Sequence, residues 1–173
     1  MHGSDSGVKR ALPPECDTRT SASFYTDALI LFEDGDEHEA IRRLKERERA
    51  NLPEVTRAMV GSFRALAEGI HDESLDATRR ALAHFPDPEG RYDLTRHLAY
   101  WGENDEALSQ FEAVLEGRFN IYRALTRSDS WLVSLRSHEG YEALVAKAKT
   151  RYDAAKAAFV EAHGDRLLGV TIP

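Results

Sequence analysis

From Ser21 to Glu116 the apolar residues recur three and four positions apart, the spacing that lines one face of an α-helix. Phe24, Ala28, Leu31 and Phe32 predict a helix from about Ser21 to Asp34. Ala40, Ile41 and Leu44 predict a second, from about Glu37 to Ala50. A third carries Val55, Met59, Phe63 and Leu66 to Gly69, with Pro53 in its first turn, where a missing amide costs nothing. A fourth runs from Asp72 to about Phe85 and stops at Pro86. Asp87-Pro88 is a start signal, cap then proline, for a fifth that carries Tyr92, Leu94, Leu98, Ala99 and Tyr100 to Gly102. A sixth spans Asp105 to Glu116 and ends at Gly117. The pattern predicts an all-α chain.

One stretch between these helices occurs three times: Gly35-Asp36-Glu37-His38-Glu39-Ala40-Ile41, Gly69-Ile70-His71-Asp72-Glu73-Ser74-Leu75 and Gly102-Glu103-Asn104-Asp105-Glu106-Ala107-Leu108. The glycines are 69 − 35 = 34 and 102 − 69 = 33 residues apart. Glycine can take the left-handed conformation that ends a helix. Asp72 and Asn104 are expected to accept the free amides of the next helix, and Glu39, Glu73 and Glu106 suit the positive end of its dipole. The small residue, Ala40, Ser74 or Ala107, lets two helices approach. Self-similarity at this period signals repeated supersecondary units.

The period and these residues resemble the tetratricopeptide repeat, a helix-turn-helix of about 34 residues. Phe24 stands at its leading aromatic place, Ser62 at a small one, Phe111 at the second aromatic and Pro86 at the closing proline. Leu44 and Thr78 replace the second aromatic, and Arg91 the leading one. The resemblance covers about residues 21–119, as repeats of about 21–52, 53–86 and 87–119. It implies a short right-handed α-solenoid of three helical hairpins. Residues 120–173 would then be a helical cap over the last apolar side. In that segment Phe119, Ile121, Tyr122, Ala124 and Leu125 predict a short helix, Ser128-Asp129-Ser130 a turn, and Trp131, Leu132 and Leu135 an apolar knot. Ser137 is expected to cap a long helix, about Glu139 to Ala162, followed by the apolar tail Leu167, Leu168, Val170 and Ile172. The whole of 21–173 reads as one domain behind a flexible arm, 1–20.

The resemblance also implies where a partner would bind. First helices of such repeats line a concave groove, which places Tyr25, Leu29 and Phe32, then Met59, Phe63 and Leu66, then Tyr92, Arg96, Ala99 and Tyr100 on it. The lining is aromatic and apolar, with Arg96 as its basic group, suited to pair with a carboxylate. The expected function is non-enzymatic binding of a protein or peptide segment. The occupant would be a partner's amphipathic helix or this chain's own last helix, whose Ala154, Ala155, Ala158, Phe159 and Ala162 form an apolar stripe. A homodimer is a further arrangement. The same stripes also fit a packed core, and the sequence leaves these readings open. A second functional class implied by the resemblance is a regulatory or sensor module of a larger bacterial signalling or transcription-regulating protein.

Composition narrows the classes further. The chain has 42% hydrophobic and 31% charged residues, the balance of a folded domain rather than a disordered one. A net charge of −7 argues against nucleic acid as a partner. Cys16 is the single cysteine, so neither an intrachain disulfide nor a cysteine-based zinc site forms. No run reaches membrane-spanning length, residues 1–20 lack a signal-peptide core, and the expected location is the cytoplasm. No phosphate loop, nucleophile elbow or HExxH pair is present. The seven histidines are scattered. His38 and His71 sit in different corners, out of register, and His97 lies one turn from Trp101. No cofactor, metal or catalytic residue is expected.

Overall fold

The structure, a computed structural model, describes residues 21–164 and 166. The expected N-terminal arm and the apolar tail lie outside the described residues, as does the side chain of Phe24. Among the described residues the chain is all-helical: α1 Ser21–Glu33, α2 Glu37–Glu48, α3 Glu54–Ala67, α4 His71–His84, α5 Pro88–Tyr100, α6 Asn104–Glu116, α7 Tyr122–Thr126, a 3-10 turn Ser130–Leu132, α8 Val133–Arg136 and α9 Tyr141–Glu161.

The three repeated corners are built alike. Gly35, Gly69 and Gly102 have φ of +83°, +72° and +82°. In each, the glycine amide bonds three residues back and the next amide five residues back: Gly102 to Ala99 at 3.1 Å and Glu103 to Leu98 at 3.0 Å in the third. This pair of hydrogen bonds satisfies free carbonyls at the end of the first helix, and only a residue at ease with positive φ completes it. The residue after glycine is then the cap of the next helix. In the first corner it is Asp36, whose carboxylate accepts from Glu39 N at 3.4 Å. In the others it is Ile70 and Glu103, which make no side-chain cap. Asp72 and Asn104 therefore do not cap, contrary to the sequence expectation. The tight corner starts each helix early, and both residues lie within its first turn. Pro53 likewise stands just outside α3, and Gly140, not Ser137, precedes α9.

At the end of α6 the left-handed position has slipped by one residue. Gly117 has φ of −66° and Arg118 takes +66°. A β-carbon at Gly102 would meet nothing within 4 Å, so its substitution tests backbone conformation alone. Gly102→Ala is expected to cost about 1 kcal/mol and Arg118→Gly to gain up to about as much. The measurement is a shift of the urea midpoint in opposite directions; a shared sign would contradict it.

Consecutive helices pack against one another from α1 to α6, and α1, α3 and α5 also touch each other as one layer. Ala40, Ser74 and Ala107 are wholly buried at the helix contacts, as their size requires. The charge run of α2 is a solvated face: Arg42 pairs with Glu39 at 2.6 Å and with Glu46, and Arg43 pairs with Glu39 at 2.9 Å. Longer ion pairs join successive hairpins. Arg64 of α3 meets Glu48 of α2 at 3.1 Å, and Arg79 of α4 meets Glu106 of α6 at 2.7 Å. The 3-10 turn and α8 pack on α5, and α9 packs on α6, α7 and α8.

Candidate functional site

The site is made where the loop before α8 turns back into the layer of α1, α3 and α5. Asp129 precedes the 3-10 turn and accepts the Trp131 amide at 2.9 Å, fixing the direction in which the indole leaves the loop. The ring is only 3% exposed. Its centroid lies 5.8 Å from Phe32, 5.7 Å from Phe63 and 5.5 Å from Tyr100, all steeply inclined. Ring quadrupoles favour such edge contacts.

Arg96 of α5 is held by the same loop. Its guanidinium carbon sits 4.6 Å from the centre of the Trp131 ring, and its Nε donates to Asp129 at 2.9 Å. Nη2 reaches Glu33 at 3.3 Å, and Nη1 lies 3.8 Å from Asp93. A guanidinium 7% exposed needs this company, because an unpaired buried charge is costly. The sequence reading had Arg96 free to meet a partner's carboxylate. The structure corrects this: its donors are already directed at carboxylates of its own chain.

What stays open above Trp131 is a cleft of about 710 Å³. Leu29, Phe32, Glu33 and Glu37 line it from α1 and the start of α2, Tyr92, Arg96 and Tyr100 from α5, Ala124 from α7, and residues 127–131 from the loop and 3-10 turn. Tyr100 is at the rim, 41% exposed. Of the residues expected in a groove, Leu29, Phe32, Tyr92, Arg96 and Tyr100 thus come together. Tyr25, Met59, Phe63, Leu66 and Ala99 do not: they are buried in the core, because the first helices pack directly on one another and Trp131 fills the space that a groove would leave. The stripe of α9 is not the filler either. Ala154, Ala155, Ala158 and Ala162 are exposed, on or just after a helix that packs against α6, α7 and α8. Tyr25 and Met59 line a separate cavity of about 220 Å³, with Asp87, Glu89 and Asp93.

Behind the aromatic floor runs a buried chain of hydrogen bonds whose direction is determined. The Thr78 hydroxyl gives its one proton to the Ser74 carbonyl at 2.7 Å, so it accepts from Ser62 at 2.5 Å. The Ser62 oxygen then accepts from His97 Nδ1–H at 2.6 Å, and the bare Nε2 accepts the Tyr25 hydroxyl at 2.9 Å. The Ser74 hydroxyl donates to the Ser62 carbonyl at 3.1 Å and accepts from Trp101 Nε1 at 2.9 Å. His97 is held neutral, its pKa lowered to about 3 by burial and by the neighbouring Arg96 charge. A serine beside a histidine suggests nucleophilic chemistry. Here both side chains are wholly buried, the serine proton is committed to Thr78, and the histidine's free lone pair to Tyr25. The arrangement ties α1, α3, α4 and α5 together.

Asp93, below Arg96, has its pKa raised to about 7 by burial; Glu89, Asp87 and Asp129 add to the shift and Arg96 opposes it. Among the described residues no three histidine, cysteine, aspartate or glutamate side chains gather as metal ligands would. No helix among them is long and apolar enough to cross a membrane.

Sequence reasoning placed Trp131 over the open side of the last hairpin, and missed that it reaches α1 and α3. It missed Asp129 and the Ser62–His97 pair altogether. Asp129-Ser130-Trp131 does carry a local signal, an aspartate two residues before the amide it accepts. Compared with known proteins, the chain matches no family model, no curated protein and no solved structure.

Proposed function

We propose that this chain is a non-enzymatic scaffold that binds a protein or peptide segment in the cleft between α1, α5 and the loop before α8. In this reading the three helix pairs are tetratricopeptide-like hairpins stacked as a short right-handed solenoid, and residues 120–173 are their cap. Three identically bonded glycine corners, 34 and 33 residues apart, support the repeat. The observation that carries the function is the cleft itself. Its floor is preset, since Trp131 and Arg96 are immobilised by Asp129, and Tyr100 stands half out of the protein at its rim. A rigid aromatic floor with an exposed aromatic at the edge binds an apolar side chain with little ordering cost.

Tyr100 is the place to test it, because its exposure separates binding from folding. Tyr100→Ala is expected to move the thermal midpoint by no more than a few degrees, the usual scale for a surface change in a domain of this size. It should weaken the partner recovered from the native host by about tenfold or more, as loss of an aromatic anchor does. The measurement is capture on the immobilised full chain, wild type against variant. Equal capture by the two would remove the cleft as the working surface.

A further inference from the structure

The charges around the cleft have the opposite sign from the one its sequence suggests. Arg96 is spent: Asp129 at 2.9 Å, Glu33 at 3.3 Å and the face of Trp131 leave it 7% exposed. The α1–α2 wall is then left with Glu33, whose side chain is 47% exposed, and with the exposed Glu37. Asp34 and Asp36 stand exposed in the same corner. Arg127, exposed, also lines the cleft, from the loop and not from that wall, and is the cation an acidic ligand would meet there. A ligand carboxylate over this wall would find no accessible cation on it and several like charges. A ligand cation would find the exposed Glu37, and Glu33, which it would share with Arg96, beside an aromatic floor. Like-charge juxtaposition costs more than a rim pair gains, so the wall selects mainly by exclusion.

Resting on the cleft reading above, we propose that its occupant is a segment of another protein in which a lysine or arginine adjoins a large apolar side chain. The apolar group lies over Phe32 and Tyr100, and the cation meets Glu33 and Glu37. Acidic segments are rejected.

The probes are three synthetic helical peptides with one common Leu/Phe stripe and with lysine, glutamine or glutamate at the flanking positions. Fluorescence anisotropy on the full chain gives their affinities. Lysine over glutamate should be preferred by about tenfold at low salt, less as salt screens the rim. Glu33→Gln with Glu37→Gln should erase most of that preference. Glu46→Gln with Glu142→Gln removes the same net charge from exposed sites elsewhere and should preserve it. Tyr100→Ala should weaken all three peptides. A glutamate peptide that binds as well as the lysine one overturns the inference. So does a preference that survives the Glu33/Glu37 change or disappears equally in the Glu46/Glu142 control. If the three peptides bind equally and still need Tyr100, the cleft reading stands alone. If none binds, or Tyr100 is irrelevant, both readings fall.

Discussion

Trp131→Ala is expected to lower the stability of the chain by about 3–5 kcal/mol, the usual cost of removing a buried aromatic. The indole is almost wholly enclosed and touches rings from α1, α3 and α5 at once. Its loss also uncovers one face of Arg96, whose charge would remain buried against Asp129. Trp131→Phe keeps much of the apolar volume and should cost clearly less. Urea denaturation of the three proteins measures the difference. A Trp131→Ala variant within about 1 kcal/mol of wild type would mean that Trp131 does not hold α1, α3 and α5 together, by the scale of ordinary surface changes. The same variant enlarges the cleft at its floor, so any peptide bound there should lose affinity even at temperatures where the variant is folded.

The corners were readable in the sequence because a left-handed position narrows the choice of residue: glycine marks Gly35, Gly69 and Gly102 without help from the rest of the chain. The helices were readable for a similar local reason. What a stripe faces is another matter. Phe63 and Phe32 both lie on helical stripes, yet Phe63 is wholly buried and Phe32 lines the cleft. Both rings meet Trp131, which lies far along the chain from both. Arg96 shows the same limit in electrostatics. Its partners are 63 residues before it, at Glu33, and 33 after it, at Asp129. Near Arg96 in the sequence stands only Asp93, 3.8 Å from it in the structure; the two hydrogen-bonded carboxylates are remote, so the sign of the cleft could not be read. His97 is similar, with Tyr25 72 residues away and Ser62 35 away. Capping failed for a smaller reason. The sequence marked plausible cap residues in the corners, but the paired hydrogen bonds at glycine fix which position becomes the cap.

Two buried groups should give the chain an unusual response to acid. The neutral His97 has a folded pKa of about 3 against an ordinary 6.5, so between those values the unfolded chain binds the extra proton. Stability from this group falls as pH falls through that window, by on the order of 1.4 kcal/mol per pH unit. Asp93 acts oppositely. Its folded pKa is about 7 against an ordinary 3.8, so between those values the native chain binds the extra proton, and stability rises as pH falls. From about pH 6.5 to 4 the two slopes oppose each other, and the wild-type midpoint should change little. Asp93→Asn removes one slope and leaves the other. The variant should be more stable than wild type near pH 8, where the buried carboxylate is charged, and should lose that advantage steadily towards pH 4. With Asp93 still 22% exposed, the change in the difference between the two proteins should be about 2–4 kcal/mol over that range. Surface carboxylates held low by hydrogen bonds, such as Glu39 at about 2 through Arg42 and Arg43, lose their contribution below about pH 4.5 in both proteins and cancel in the comparison. Urea midpoints at several pH values measure it. Parallel curves for wild type and Asp93→Asn would show that Asp93 titrates as an ordinary carboxylate, and that Arg96 outweighs burial at this position.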